Sequence, residues 1–480
     1  AQASCCSTFL PFLHRAMPKR WKRGARDDDA PSGTPWPLAV ETPAPPSRSR
    51  AEQLMQRLWK GELEGETPDG SLSRPVIPHP SQGTAKGYSS RGPRSGEAFF
   101  PVMSSEELAP LLVPLHHGAE KIKATFQDFG VCIVTDVLSN AECAAFEELW
   151  HDDLLRLLDG HKVEGEAARQ AQNVQQDLKA WPQRWDQHLG IKGMASKHGL
   201  PHGSFAWAAR MHPKVRQVFA DLYESSPEDL VVGLDNVFWC SAQEEGSSTN
   251  PEWLHVDQNH RTGMTWPCAQ GVLYIWPSEG SSSSTTVVWP KSHKEAYEKM
   301  MDDPEAITRG RSMGGQSVKL KELQLPYLRE ELLSEALLNS RRVPCPAGSL
   351  LLWDSRTVHQ GWRGGPRLAQ PICWEPRERR SEEALHRKLW MCGSGIASSH
   401  SAAEGRVHGM AKEAPSPSLE EGLPLLRACL VPYGIASGQE INWVEQHEAI
   451  WPSDNPKRQA DVNNLRALLP LLRPEMEEVL

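Results

Sequence analysis

The chain has 480 residues, 39% of them apolar, which is enough for a large buried core and unlike a small scaffold stapled by disulfides. Its formal net charge of −9 argues against a nucleic-acid partner, which would need a basic stripe. No apolar run approaches the roughly 18 residues that span a bilayer, so no membrane span is expected. The ten cysteines stand singly, apart from the adjacent Cys5 and Cys6, and form no Cys-x-x-Cys; reduced thiols in an intracellular protein are the expectation.

Residues 1–100 are rich in Pro, Gly, Ser and charge, as in TPAPPSRSR and SQGTAKGYSSRGPRSG, and read as mostly disordered, with one short helix expected over 51–62. A basic cluster (Arg15, Lys19, Arg20, Lys22, Arg23, Arg26) precedes the first acidic residue, Asp27. A solvated tail on a cytoplasmic protein is the ordinary explanation; acid-poor, Arg-bearing starts also mark organelle import. Order is expected from Pro101, where SSEELAPLL carries helix-start chemistry. Residues 129–137 read as a strand. Ser139-x-x-Glu142 is a capping box for a helix whose Cys143, Phe146, Trp150, Leu154 and Leu157 recur at three- and four-residue steps. Residues 160–200 are polar, helix-like to Leu178 and then punctuated by Gly through His202. From Asp229 onward, strand-like runs alternate with turns: LVVGLDNVFWC, QGVLYIWP, TTVVWP, GSLLLW and AQPICWEP. Such short β-rich segments predict two packed antiparallel sheets, interrupted by a helical insertion over 300–341.

Two segments carry the chemistry, WLHVDQNH at 253–260 and LLLWDSRTVHQG at 350–361. They offer His255, Asp257 and His359, two imidazoles and a carboxylate. That set suits non-haem Fe(II), because it fills one face of an octahedron and leaves three positions open. A spacing of two puts His255 and Asp257 on one face of an extended strand. GSLLLW follows the turn-like PCPAG and reads as a buried strand delivering His359 at its end. A lone histidine near an apolar strand is more often a core or surface group, so the weight rests on the trio. His260 falls on the opposite strand face and is placed outside the ligand set; His293, His400 and His408 are further imidazoles in the same half.

In order and spacing, HVD at 255–257, TTVVWPKSH at 285–293 and DSRTVHQG at 354–361 resemble the phytanoyl-CoA dioxygenase family of Fe(II)- and 2-oxoglutarate-dependent oxygenases. The resemblance spans about residues 120–400. It takes in the entry segment FGVCIVTDVLSNAECAAF and a stretch over 211–219 like the family's His-Pro-x-Val helix. It implies a mainly β, α+β architecture: a double-stranded β-helix, a jelly-roll and cupin-like barrel, with helical N-terminal, insert and C-terminal elements. Three regions follow: 1–100 mostly disordered, 101–400 the oxygenase-like domain, and 401–480 a helical and loop-rich extension. The resemblance also implies Fe(II) on His255, Asp257 and His359, with no catalytic residue beyond these ligands. The co-substrates are then 2-oxoglutarate and molecular oxygen, the substrate a small organic or lipid-like molecule, and ascorbate an optional reductant.

The family further implies an arginine for the far carboxylate of 2-oxoglutarate, a role matched by the guanidinium fork and not by lysine. Arg367 is favoured because it directly precedes the apolar run LAQPICWEP; Arg363, in the Gly-rich turn WRGGPR, is the alternative. Pro371 within that run predicts an edge or an irregular strand. Halogenating relatives replace the carboxylate ligand by a small residue, so the presence of Asp257 points to hydroxylation. Two readings from other classes use the same residues: a catalytically silent barrel, and a non-oxidative metal-binding barrel of the cupin type.

Overall fold

Two capping boxes start helices of the described chain. Ser104 Oγ accepts from Glu107 N (3.2 Å) while Ser104 N donates to the Glu107 carboxylate (2.9 Å), starting the short helix Ser105–Leu108. Ser139 and Glu142 do the same (3.2 and 2.6 Å) for the helix Asn140–Gly160, which buries Phe146, Trp150 and Leu154. The structure is a computed structural model that describes residues 50–64, 100–160, 190–191, 193–196, 200–240, 253–263, 266–279, 283–311, 317–362, 364–379 and 397. The basic cluster, most of the stretch 160–178, Arg363, His400, His408 and the extension 401–480 lie outside the described residues.

The strands are β1 (Leu112–Pro114), β2 (Val131–Thr135), β3 (Gly190–Ile191), β4 (Met194–Ala195), β5 (Leu230–Val232), β6 (Val237–Cys240), β7 (His255–Val256) and β8 (Ala269–Tyr274). There follow β9 (Thr285–Val288), β10 (Val318–Lys319), β11 (Arg341–Arg342), β12 (Leu350–Asp354), β13 (His359–Trp362), β14 (Arg367–Ile372) and β15 (Trp374–Pro376). They form an eight-stranded sheet in the order β1-β2-β12-β8-β14-β6-β4-β3, a five-stranded sheet in the order β10-β7-β13-β9-β11, and the pair β15-β5. Of the ladders, β1 with β2 is parallel and β12 with β8, like β13 with β9, is antiparallel. Neither large sheet closes on itself, so the architecture is a mixed α/β fold with large antiparallel sheets.

Strand alternation sorts the core into three layers. On β12, Leu350 and Leu352 join Cys132, Val134 and Leu273 in a cluster with Phe126, Phe146, Trp150 and Phe219 of the helices. Leu351 and Trp353 point the other way and join Val131, Ile133, Val272, Tyr274 and Val288 between the two sheets. Behind the five-stranded sheet, Val256, Val287 and Trp362 pack on Tyr297, Met300 and Leu332 of the helices Glu295–Met301 and Pro326–Asn339. Burying one such side chain fully stabilises the fold by about 1.5–3 kcal/mol.

One reading of the strands needs correction. Phe129 ends the helix Ala119–Phe129, and Gly130, at φ 67°, caps it in the left-handed region before β2 begins at Val131. Pro371 sits in β14 between two neighbours, yet the ladder to β6 ends at Ala369 while the ladder to β8 runs on to Ile372. The proline thus falls where one side of the strand has already lost its partner. Among the described residues, Cys132 and Cys345 are free thiols, and no helix is long and apolar enough to cross a membrane.

Candidate metal centre

His255 and His359 face each other as a cross-strand pair of β7 and β13, with ring centroids 4.4 Å apart. Asp257 follows directly. Its Oδ1 lies 3.3 Å from His255 Nε2 and its Oδ2 3.3 Å from His359 Nε2, and one ligand atom from each residue falls within 4.8 Å of the others. All three side chains are buried, with relative exposures of 9%, 7% and 5%.

The backbone determines which ring nitrogens point inward. His255 Nδ1 lies 2.9 Å from the Trp253 carbonyl, and His359 Nδ1 lies 2.9 Å from the Thr357 carbonyl. A carbonyl can only accept, so each Nδ1 carries the proton and each Nε2 presents a lone pair to the common point. Burial, with the neighbouring His255 acting in the same direction, holds His359 below the ordinary histidine value, and Asp257 opposes this in part. A neutral imidazole is the ligating form. Two nitrogen lone pairs and a carboxylate then meet in a buried space, an arrangement that repels itself unless a cation lies among them. The donor set therefore fits a transition metal bound on one face.

Asp257 reaches the site by a route that its spacing did not predict. The strand ends at Val256, and Asp257 lies on a bend where its own N–H and that of Gln258 donate to the Ser355 carbonyl (2.9 and 3.1 Å). His359 likewise does not end the GSLLLW strand. That segment supplies β12 of the eight-stranded sheet, and His359 opens β13 in the opposite sheet after an intervening turn. His260 lies on a 3-10 turn against the Tyr297 ring, outside the cluster. His293 Nε2 donates to the Gln127 carbonyl (3.1 Å) and is also not a member.

Several supporting residues went unassigned in the sequence. Gln270 Nε2 donates to Asp257 Oδ2 (3.2 Å) from β8, and its only sequence signal is a polar residue inside a buried strand. Ser292 Oγ donates to the Trp289 carbonyl and accepts from Val358 N (2.8 Å), tying the Pro290–His293 turn to the start of β13. Thr357 Oγ1 donates to the Gly130 carbonyl (2.9 Å).

Arg367 opens β14 with its side chain between the sheets and 7% exposed. Its Nη2 donates to Tyr274 Oη (2.9 Å), and the guanidinium carbon lies 4.4 Å from the Phe238 ring centroid. Among the described residues it has no carboxylate partner, and its Nε is buried without an acceptor. A buried cation without a counter-ion is costly and marks a place for an anion. Gln270 and Tyr274 lie on the same face of β8, four residues or roughly 13 Å apart; one touches Asp257 and the other Arg367. Guanidinium and ligand cluster therefore border the same inter-sheet space. Trp253, 44% exposed, stacks on His255 at 5.4 Å.

No family model matches the chain. Among characterised proteins it is similar to the Ava biosynthesis cluster protein O of Aspergillus versicolor, with 23% identity over 220 residues that cover 45% of this chain and 68% of that protein. Among solved structures it is similar to GlcNAc Inducible Gene 2 of Candida albicans, at 12% identity and a TM-score of 0.40, over 80% of this chain and 89% of that one. It is also similar to the epimerase SnoN, solved with Fe3+, alpha ketoglutarate and nogalamycin RO, at 14% identity and a TM-score of 0.31, over 53% of this chain and 82% of that one.

Proposed function

We propose that this chain is an Fe(II)- and 2-oxoglutarate-dependent dioxygenase of the phytanoyl-CoA dioxygenase type, and that its two sheets are the halves of a double-stranded β-helix. The observation that carries the reading is the pairing of two unusual features in one inter-sheet space: three converging candidate ligand atoms, and a buried arginine with no counter-ion among the described residues. Either alone has structural explanations; together they match a metal and a dicarboxylic co-substrate that bridges from it to a guanidinium.

In this reading His255, Asp257 and His359 hold iron. Bound iron supplies activation of molecular oxygen, coupled to decarboxylation of 2-oxoglutarate to succinate and carbon dioxide and to hydroxylation of a small organic substrate. Arg367, with Tyr274 beside it, binds the far carboxylate and fixes the co-substrate's orientation. Burial raises the Tyr274 phenol, which keeps it protonated and able to donate to that carboxylate. The Trp253 and Thr357 carbonyls hold the imidazoles in the ligating tautomer, and Gln270 steadies Asp257. The exposed indole of Trp253 offers an apolar wall to the substrate. A small-molecule substrate is in keeping with the biosynthesis-cluster relative.

The test is an anaerobic titration with Fe(II) and then 2-oxoglutarate. A weak visible charge-transfer band on adding the oxo acid is the expected result. Iron binding without the band contradicts co-substrate chelation and favours the cupin-type reading; absence of iron binding favours the silent barrel.

A further inference from the structure

The eight-stranded sheet has a second recess, on the face covered by the helices. Its walls come from the helix Ala119–Phe129, the end of the helix Pro213–Tyr223, the residues entering β8 and the end of β12. The recess is partly open and holds about 170 Å³, comparable with the roughly 150 Å³ of an engineered cavity that admits benzene. Phe126 and Leu222 give it an apolar side. Its charged heads are Lys123, Arg356, Arg379 and the Asp354 carboxylate.

Two of the three cations are already engaged. Arg356 grips Asp354 in bidentate fashion (Nε to Oδ1 2.9 Å, Nη2 to Oδ2 2.7 Å), and Lys123 pairs with Glu224. Arg379 has no acidic partner among the described residues; it donates to the Pro267 carbonyl (3.0 Å) and lies 4.8 Å over the Tyr223 ring. An aromatic face and a carbonyl thus hold a free cation at the rim of an apolar recess, with further N–H donors to spare.

We propose that this recess is a second binding site, for a small carboxylate with a compact apolar body. The apolar part lies against Phe126 and Leu222, and the carboxylate meets Arg379. Occupancy reaches the metal centre by a short path. Asp354 and Arg356 line the recess and flank Ser355, whose carbonyl accepts from Asp257 N; the next residue, Thr357, holds His359 through its own carbonyl. The recess therefore acts as an effector site, on the opposite face of the sheet from Arg367.

Benzoate is the probe, with binding read by calorimetry on the full chain loaded with Co(II). The expected result is one saturable site, weakened about tenfold by Arg379→Ala, abolished when Leu222→Trp fills the recess, and unchanged by Arg367→Gln. Saturating benzoate should also shift the Co(II) dissociation constant about threefold or more. The proposal is overturned by absence of saturable binding, by binding that Arg379→Ala leaves intact, by binding lost in Arg367→Gln, or by Co(II) affinity blind to benzoate. Arg379 is only partly buried, and a thermal melt verifies that its variant folds. The Co(II) shift rests on the metal reading above, whereas the benzoate isotherms do not. A chain that takes up no Co(II) therefore sinks that reading, and the isotherms still decide whether the site exists.

Discussion

Arg367 is a cation buried between two sheets, touching a phenol, a threonine and an aromatic face but no acid among the described residues. Such a group destabilises the free protein and rewards an anionic ligand, so truncation should act on the two states differently. Arg367→Ala is expected to weaken 2-oxoglutarate binding by about 3–5 kcal/mol, the cost of leaving a buried charge unpaired, while the stability of the ligand-free chain holds or rises. Arg367→Lys should not restore binding, since an ammonium lacks the planar fork. The half-saturation point of the charge-transfer band measures the first effect and urea unfolding the second; unchanged co-substrate binding in Arg367→Ala would move the anchor elsewhere. The burial of Arg367 was legible in sequence because the residue stands directly before an apolar run. Its lack of an acidic partner was not, because that depends on Tyr274, Thr286 and Phe238, which come from three other strands.

The turns around the candidate ligands are tied together by hydrogen bonds. Gly130 leaves the helix at a positive φ, and a Cβ there would lie 2.3 Å from His293 Nδ1 and 2.6 Å from Thr357 Oγ1. Gly130→Ala is therefore expected to destabilise the chain by about 2–4 kcal/mol, from backbone strain and overpacking, and to lower metal affinity by displacing Thr357 from His359. Denaturant unfolding and metal titration of the variant check both effects, and wild-type values in both would contradict the coupling. His293 gives this region a pH dependence. Burial holds it below the ordinary histidine value, and its Nδ1 has no acceptor, so the folded state resists a second ring proton. Below about pH 6.5 the unfolded chain binds a proton that the folded chain refuses, so stability falls as pH falls. His359 acts with the same sign. The unfolding midpoint of metal-free protein should drop between about pH 7 and about pH 5, and His293→Gln should flatten that slope; an unaltered slope assigns the effect to other groups. Local chemistry made the Ser139–Glu142 capping box and most of the strands readable. The route of Asp257 was not, since a bend held by Ser355, about a hundred residues further along, replaces the extended strand that its spacing suggested.

Across the whole molecule, the apolar runs from Leu230 to Pro376 announced strands and a two-sheet core, but not which sheet each strand joins. Alternation says which residues share a face; only the turn between β12 and β13 shows that the chain crosses from one sheet to the other there, carrying His359 to a place opposite His255. The candidate metal centre is thus a product of topology: His255 on β7, Asp257 on the bend after it, His359 on β13, and the bracing amide of Gln270 from the facing sheet. Titration of the full chain with Co(II), followed by its visible spectrum, tests that convergence most directly. Uptake of about one equivalent is expected, lost in His255→Ala, Asp257→Ala and His359→Ala alike and retained in His260→Ala. Uptake that survives all three changes, or that disappears with His260, would contradict that convergence.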